Sequence, residues 1–321
     1  MKNKLLSVVI PAYNIDSYLS DSVQSLGAFL NAEEVEILII NDGSTDNTQA
    51  IGKRLESKYF NVRLFNKPNG GLSSARNFGM DVLNGKYVYF FDGDDQLNAA
   101  YTSILMDMLK TEDLDLLGFG YAKVSDDGDI LSEHILDSQQ TMSKLSRSEF
   151  IKAIVSRDDE PVAGYICTKI FKVSLLMNIR FRNMNYEDMP FVFDVLEQHD
   201  IKISYINNIV YYYIQRSGSI THSVNEKNIL DKVSNLKIVS SIIRSLNVDA
   251  NTITANNRRT LVGILWQASL NSREVKSEKV ENEIHNQLRI LVRYFNHHGG
   301  IDLYLRLKMY FYYFKGRNNG K

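Results

Sequence analysis

The sequence predicts an α/β protein: a doubly wound, mixed, Rossmann-like sheet followed by a helical C-terminal extension. Three observations point to this. Short β-branched apolar runs alternate with stretches of helical spacing over residues 5–91. Each run ends in a turn rich in Gly, Asn or Asp. From about residue 225 proline disappears and amphipathic helical spacing takes over.

LLSVVIPAY (5–13) is nearly all apolar, the pattern of a strand buried on both faces. In DSYLSDSVQSLGAFL (16–30), Tyr18, Leu19, Val23, Leu26 and Leu30 recur at helical spacing. VEILIIND (35–42) is a second buried strand, and 44–58 a helix with Ser44, Thr45 or Asp46 as its cap. NVRLFN (61–66), LSSARNFGMDVL (72–83) and KYVYFF (86–91) continue the alternation as strand, helix, strand. YAKVSDDGDILSEH (121–134) reads as a hairpin turning at Asp126-Asp127-Gly128. Residues 203–206 and 209–214 read as two short strands joined by an Asn207-Asn208 turn.

The chain has 321 residues, room for one large domain and a smaller one. A net charge of -1 favours no nucleic-acid partner. The single cysteine, Cys167, excludes an internal disulfide and fits a reducing compartment; it reads as a small buried apolar residue. No stretch of about 18 apolar residues occurs, so no spanning helix is expected. A cytoplasmic location follows as an expectation.

Doubly wound sheets bind ligands beyond the carboxyl ends of their strands. Four polar clusters fall there: PAYN with Tyr13, NDGSTD with Asp42, NKPNGGLSSARN with Arg76, and DGDD with Asp92, Asp94 and Asp95. Three carboxylates within four positions repel one another, and a divalent cation relieves them. An oxygen-only set suits Mg²⁺ or Mn²⁺. The plainer reading makes Asp94 or Asp95 the cap of the helix LNAAYTSILMDMLK. Asp42 is either a turn residue or an acceptor for a base or ribose, and Tyr13 either a core aromatic or a stacking surface. Gly70 and Gly71 either shape a turn or let backbone N–H groups approach a phosphate. Arg76 is either a solvated charge or a phosphate contact.

SVVIPAYN, EILIINDGSTDNT, NGGLSSARNFGM and YVYFFDGDD, in this order, resemble the N-terminal domain of family 2 glycosyltransferases, which have the A-type nucleotide-sugar fold (GT-A). The resemblance is dense over 5–110 and continues in fragments to about 222. It implies that Pro11, Tyr13, Asp42, Arg76, Asp92 and Asp94 hold the nucleotide, with Asp95 a further donor-site residue. It implies Mn²⁺ or Mg²⁺ on Asp94 and Asp92. Gly93 stands where Ser or Ala is common in the family.

In FRNMNYEDMPFVFDVLEQHD (181–200), Met189, Val192, Phe193 and Leu196 begin an apolar helical face just after Glu187-Asp188. Acidic residues there are also plain dipole partners of a helix start. The resemblance makes Asp188 the general base and Glu187 its supporter or an acceptor contact. The loop with Arg216, Ser219 and His222 is a bland turn from composition alone. By resemblance its arginine and hydroxyls meet the leaving diphosphate. His222 is a candidate to reach the metal or the diphosphate.

The division expected is a catalytic domain, 1–224, with a donor half (1–110) and an acceptor half (111–224), then a helical region, 225–321. IDLYLRLKMYFYYFKGRNNGK carries five basic, one acidic and six aromatic residues. Such a helix either lies on an anionic membrane face, packs on the core, or meets a second copy as a homodimer.

The function expected is inverting, metal-dependent transfer of a hexose or N-acetylhexosamine from a UDP-sugar. The acceptor is a saccharide or lipid-linked oligosaccharide of surface polysaccharide synthesis, at the inner membrane face. The rivals are a non-catalytic nucleotide-sugar-binding subunit and a sugar nucleotidyltransferase. The second usually needs a Gly-rich phosphate loop and basic residues after strand one, which PAYNIDSYLSD lacks.

Overall fold

The structure is a computed structural model. It describes residues 4–136, 141–155, 164–215 and 224–318, without the side chains of the last four. Arg216, Ser219 and His222 lie outside the described residues.

The first four strands are β1 (Lys4–Ala12), β2 (Val35–Asn41), β3 (Val62–Asn66) and β4 (Gly85–Phe90). They pair in parallel in the order β3-β2-β1-β4. Helices α1 (Leu19–Ser25), α2 (Thr48–Lys58) and α3 (Leu72–Val82) connect them. Strand side chains alternate between faces. Leu6, Val8 and Ile10 join one core with Leu19, Val23 and Leu55, while Val9 joins the other with Ala75, Val88 and Phe90. Both faces are buried, hence the continuous apolar runs. The first helix is shorter than its spacing suggests. It ends at Ser25, and a 3₁₀ turn, Gly27–Phe29, follows. Gly27 has φ +50, and a Cβ there would meet Thr102 Oγ1 at 2.9 Å.

The sheet then becomes mixed. It adds β5 (Gln96–Leu97), β6 (Leu116–Ser125), β7 (Ile130–His134), β8 (Met142–Leu145), β9 (Lys169–Lys172) and β10 (Ile203–Gln215). The path runs β3-β2-β1-β4-β9-β6-β10-β5, with β7 on β6 and β8 on β10. β9 is antiparallel to both β4 and β6. The expected hairpin at 121–134 is β6–β7, with Gly128 at φ +91 in its turn. The two strands expected around Asn207-Asn208 are one strand. β10 runs parallel to β6 throughout and absorbs the asparagines as an irregularity between Ile206 and Tyr211. Asn207 N–H donates to the carbonyl of Thr141 (2.8 Å), so the pair bends a strand rather than reversing it.

Between the strands lie α4 (Ala99–Thr111), α5 (Arg147–Val155) and α6 (Asp188–Gln198). The C-terminal region is α7 (Glu226–Ser245), α8 (Ala250–Leu270), α9 (Glu278–His298) and α10 (Leu303–Asn318). α7 faces two ways. Val239, Ile242 and Ile243 join the core beneath the sheet, while Ile229 and Val233 pack with Leu261, Ile264 and Leu288 of α8 and α9. α10 buries Met309 against this bundle but exposes Leu303, Leu307, Phe311 and Phe314.

Candidate active site

The carboxyl ends of β1, β2 and β4 and the start of α3 meet in a cleft of about 760 Å³. Pro11, Tyr13, Asp42, Gly71, Arg76, Asp92 and Asp94 all line it, as do Glu187 and Asp188 from the start of α6. Five segments spread over about 180 residues thus converge on one cleft.

β1 ends in Pro11-Ala12, and Tyr13 stands at the rim, 49% exposed. Asn14, at φ 50, accepts from Thr45 N–H (2.8 Å) and so ties the loops after β1 and β2 together. Asp42 is buried at the tip of β2. Its carboxylate accepts from Gly70 N–H (3.0 Å), Gly71 N–H (2.7 Å) and the Lys67 ammonium. These N–H groups lie at the foot of α3, so Asp42 fixes the NGG turn. The N–H groups considered for a phosphate are already engaged, and Asp42 meets the cleft from a fixed, fully bonded position.

DGDD follows β4. Asp94 is half-buried and lines the cleft. Asp95 is 1% exposed. One of its oxygens accepts from Tyr211 Oη and the other from Ile214 N–H (2.8 Å). Both oxygens thus anchor β10 to the strand-four loop. Burial, then the charges of Asp94 and Asp92, hold the Asp95 carboxyl well above the usual range. Neither Asp94 nor Asp95 caps α4; Asn98 does, accepting from Ala100 N–H (3.3 Å). Gly93 has a packing reason. A Cβ there would lie 2.7 Å from Ile15 Cδ1 and 3.0 Å from Ile10 Cγ2, so Ser or Ala would push against β1.

Arg76 departs most from expectation. Its side chain is 1% exposed. Nη1 donates to Glu187 (2.5 Å) and Asp188 Oδ1 (2.6 Å), and Nη2 to Asp92 Oδ1 (2.8 Å). Its ring neighbour is Phe181, whose centroid lies 5.3 Å from the guanidinium carbon. A guanidinium enclosed by three carboxylates forms the joint between the DGDD loop and the Glu187-Asp188 pair. Burial works against its charge, but Asp188, Asp92 and Glu187 outweigh that and keep it protonated. Even so the site is over-acidic. Burial, with Asp188 and Asp94 adding to it against Arg76, pushes Asp92 up to about 6. Burial and Asp188 push Glu187 up to about 7, again against Arg76.

Asp188 Oδ2 accepts from Ile166 N–H (3.2 Å), so the carboxylate is held from both sides. A carboxylate has about four lone-pair positions, which leaves room for a hydroxyl proton. The segment before it is held by two helices. From α3, Ser73 Oγ donates to Arg182 O (2.6 Å) and Asn77 Nδ2 to Phe181 O (2.9 Å). From α7, Asp231 accepts from Asn185 N–H (2.9 Å), and Asn235 Nδ2 donates to Tyr186 O (2.6 Å). Tyr186 has φ 62, uncommon for a large side chain and sustained by these bonds.

Sequence reasoning missed the helical wall of this cleft. Lys232, Asn235 and Leu236 of α7 and Arg259, Val262 and Gly263 of α8 line it. The only signal was polar residues, Asn235 among them, inside amphipathic helices.

A metal at DGDD fits the donor chemistry: Asp94 and Asp92 offer oxygen only, and Mg²⁺ typically takes one or two carboxylates with the rest of its shell from water and phosphates. Among the described residues no group of three His, Cys, Asp or Glu side chains forms a complete protein cage. Part of the repulsion that the sequence alone leaves to a metal is met by Arg76.

Residues 7–179 match the family model described as glycosyl transferase family 2. The chain is 28% identical over 222 residues to the uncharacterized glycosyltransferase EpsJ of Bacillus subtilis (strain 168), covering 68% of this chain and 63% of that protein. It is 28% identical over 222 residues to the minor teichoic acid biosynthesis protein GgaB of the same organism, covering 66% of this chain and 23% of that one. The match thus spans less than two thirds of these relatives' length. The structure of S. aureus TarS 1-349 in complex with UDP-GlcNAc superposes with a TM-score of 0.66 at 19% identity, over 98% of this chain and 90% of that one. That likeness extends the shared fold through the helical C-terminal region. With over half its length matching the family model and its cleft built from that segment and the helices beyond, the chain belongs to glycosyl transferase family 2.

Proposed function

We propose that this chain is an inverting glycosyltransferase that moves a hexose or N-acetylhexosamine from a UDP-sugar to a hydroxyl of a saccharide or lipid-linked oligosaccharide in surface polysaccharide synthesis. The observation that carries this is the meeting of Asp92 and Asp94 with Asp188 in one cleft, joined through Arg76. Family membership supports the reaction class, and the shared fold of TarS with UDP-GlcNAc bound supports the carrier.

Tyr13, exposed at the rim, offers a stacking face to the base, and Pro11 and Asp42 bound the nucleoside end. Asp94, with Asp92, would hold a divalent ion, which when bound neutralises charge on the leaving diphosphate. Asp188 takes the acceptor hydroxyl proton as that oxygen attacks C1. The new C1–O bond forms opposite the breaking bond to the diphosphate, so the anomeric centre inverts. Arg76 and Ile166 N–H keep Asp188 oriented. Glu187 shares the guanidinium rather than the acceptor.

No helix among the described residues is long and apolar enough to cross a membrane. We place α10 on an anionic bilayer face, where its exposed Leu303, Leu307, Phe311 and Phe314 recur on one side.

The test is a panel of UDP-sugars assayed for UDP release and transfer to saccharide acceptors. One sugar should be turned over, with inversion, and Asp188→Asn should cut kcat by roughly 10²–10⁴ while UDP still binds. Full activity in Asp188→Asn would show that Asp188 is not the base. Nucleotide binding without turnover of any donor would favour the non-catalytic binding subunit.

A further inference from the structure

Ile166 N–H, which donates to Asp188 Oδ2 (3.2 Å), belongs to the same peptide group as the Tyr165 carbonyl. That carbonyl is held from behind. It accepts from the Lys169 ammonium (2.8 Å) and from Thr168 Oγ1 (3.0 Å). Lys169 Nζ also donates to Thr168 Oγ1 (3.0 Å), so ammonium, hydroxyl and carbonyl form one linked group. The next carbonyls of the turn are engaged too: Ile166 O accepts from Lys169 N–H, and Cys167 O from Tyr89 Oη (2.9 Å). Lys169 is 1% exposed and opens β9, where it pairs with Gly118 of β6. The anchor of this turn is therefore the sheet. Burial lowers Lys169 to about 8, against the pull of Cys167 and Asp188, so near neutral pH it keeps its proton. Desolvating an ammonium is unfavourable, and an apolar residue would fill the same space, so packing alone does not explain this lysine.

We infer that Lys169 is a positioning residue for the general base: through the Tyr165–Ile166 peptide it fixes the donor that holds Asp188 Oδ2, as Arg76 holds Oδ1. This rests on the transferase reading, since only there is Asp188 the base. A cation at the carbonyl end polarises the peptide, and hydrogen bonds in a chain strengthen one another, so Ile166 N–H becomes a better donor. A peptide group is planar, so fixing its carbonyl also fixes the direction of its N–H. Asp188 then keeps one orientation, with lone pairs left for the acceptor hydroxyl. Tyr165 and Thr168 line the cleft, whereas Lys169 acts from behind them.

The test reads both the peptide and the reaction in the full chain. Lys169→Met keeps the length of the side chain and removes its charge. In NMR spectra of the isotope-labelled variant, the Ile166 amide proton should move upfield and exchange faster with solvent. In steady-state assays kcat should fall about 10–10²-fold, while UDP affinity and the KM for donor and acceptor hold. Thr168→Val, which removes the second donor to the same carbonyl, should move both readouts in the same direction by less. A lysine that only fills the core would leave the Ile166 amide and kcat unchanged. An unchanged kcat, or a fall in kcat with the Ile166 amide unmoved, overturns the inference. Thermal unfolding midpoints within a few degrees of the unmodified chain show that the variants are folded. If Lys169→Met does not fold, Thr168→Val decides on the same two readouts. If the unmodified chain turns over no donor, the transferase reading fails separately, and the Ile166 amide alone decides whether Lys169 holds that peptide.

Discussion

The side-chain amide of Asn235 donates a 2.6 Å hydrogen bond to the carbonyl of Tyr186, two residues before Asp188. Asn235 is buried and sits on α7, far from the strand ends in sequence, yet it holds the left-handed Tyr186 that sets the start of α6. Asn235→Ala should leave that carbonyl without its partner, at a cost of about 1–3 kcal/mol in denaturant unfolding. It should also loosen Asp188. A misplacement of about 1 Å can lower rate about 10²-fold, so kcat should fall while UDP affinity holds. An unchanged kcat would show that α7 does not position the base.

Arg76 binds three carboxylates from two segments, Asp92 in one and Glu187 and Asp188 in the other. Removing one partner of a buried charge network typically costs about 3–5 kcal/mol. Arg76→Met should therefore destabilise by about that much, and Arg76→Lys, a single point charge, by less but still measurably. Chemical denaturation checks both. A loss below about 1 kcal/mol in Arg76→Met would mean that the carboxylates do not depend on the guanidinium.

The parallel half of the sheet was legible because strands buried on both faces leave continuous runs such as VEILIIN, and their polar ends mark the rim. What the rim residues touch was not legible. Arg76 meets Glu187 across 111 positions, and Asp95 meets Tyr211 across 116. No local pattern says that a polar side chain will be used internally. Asn207-Asn208 has the composition of a turn, but pairing with β6 on both sides keeps it in one strand. Amphipathic spacing in α7 and α8 predicted a buried face, not that Asn235, Lys232 and Arg259 would reach the cleft.

Burial pushes Glu187 up to about 7 and Asp92 to about 6. Both therefore hold a proton more tightly in the folded chain than in the unfolded one. The folded state carries the extra protons between about pH 4 and 7, so these groups stabilise the fold at the acid end, and that stability is lost as pH rises through the window. Glu187→Gln should accordingly gain stability relative to the unmodified chain as pH goes from 5 to 8. Parallel urea titrations with chelator present measure this. A constant difference between the two proteins would contradict the shift assigned to Glu187.

Exposed Leu307 and Phe311 lie one turn apart on α10. Membrane binding through an apolar face and basic residues should require anionic lipid and weaken with salt. Co-sedimentation should show binding to vesicles containing phosphatidylglycerol, little to neutral vesicles, and loss in Leu307→Glu/Phe311→Glu. Binding to neither, together with a concentration-dependent dimer that the double variant abolishes, would assign this face to a second copy of the chain.

The proposed reaction requires DGDD to hold a metal-bound nucleotide diphosphate. Calorimetric titration of UDP and GDP, with Mn²⁺ and with chelator, into the unmodified chain and Asp94→Ala tests it most directly. UDP should bind only when both the metal and Asp94 are present. Binding of GDP alone would replace the carrier and keep the chemistry. Binding of neither nucleotide, or UDP binding indifferent to metal and to Asp94→Ala, would show that DGDD is not a metal-nucleotide site.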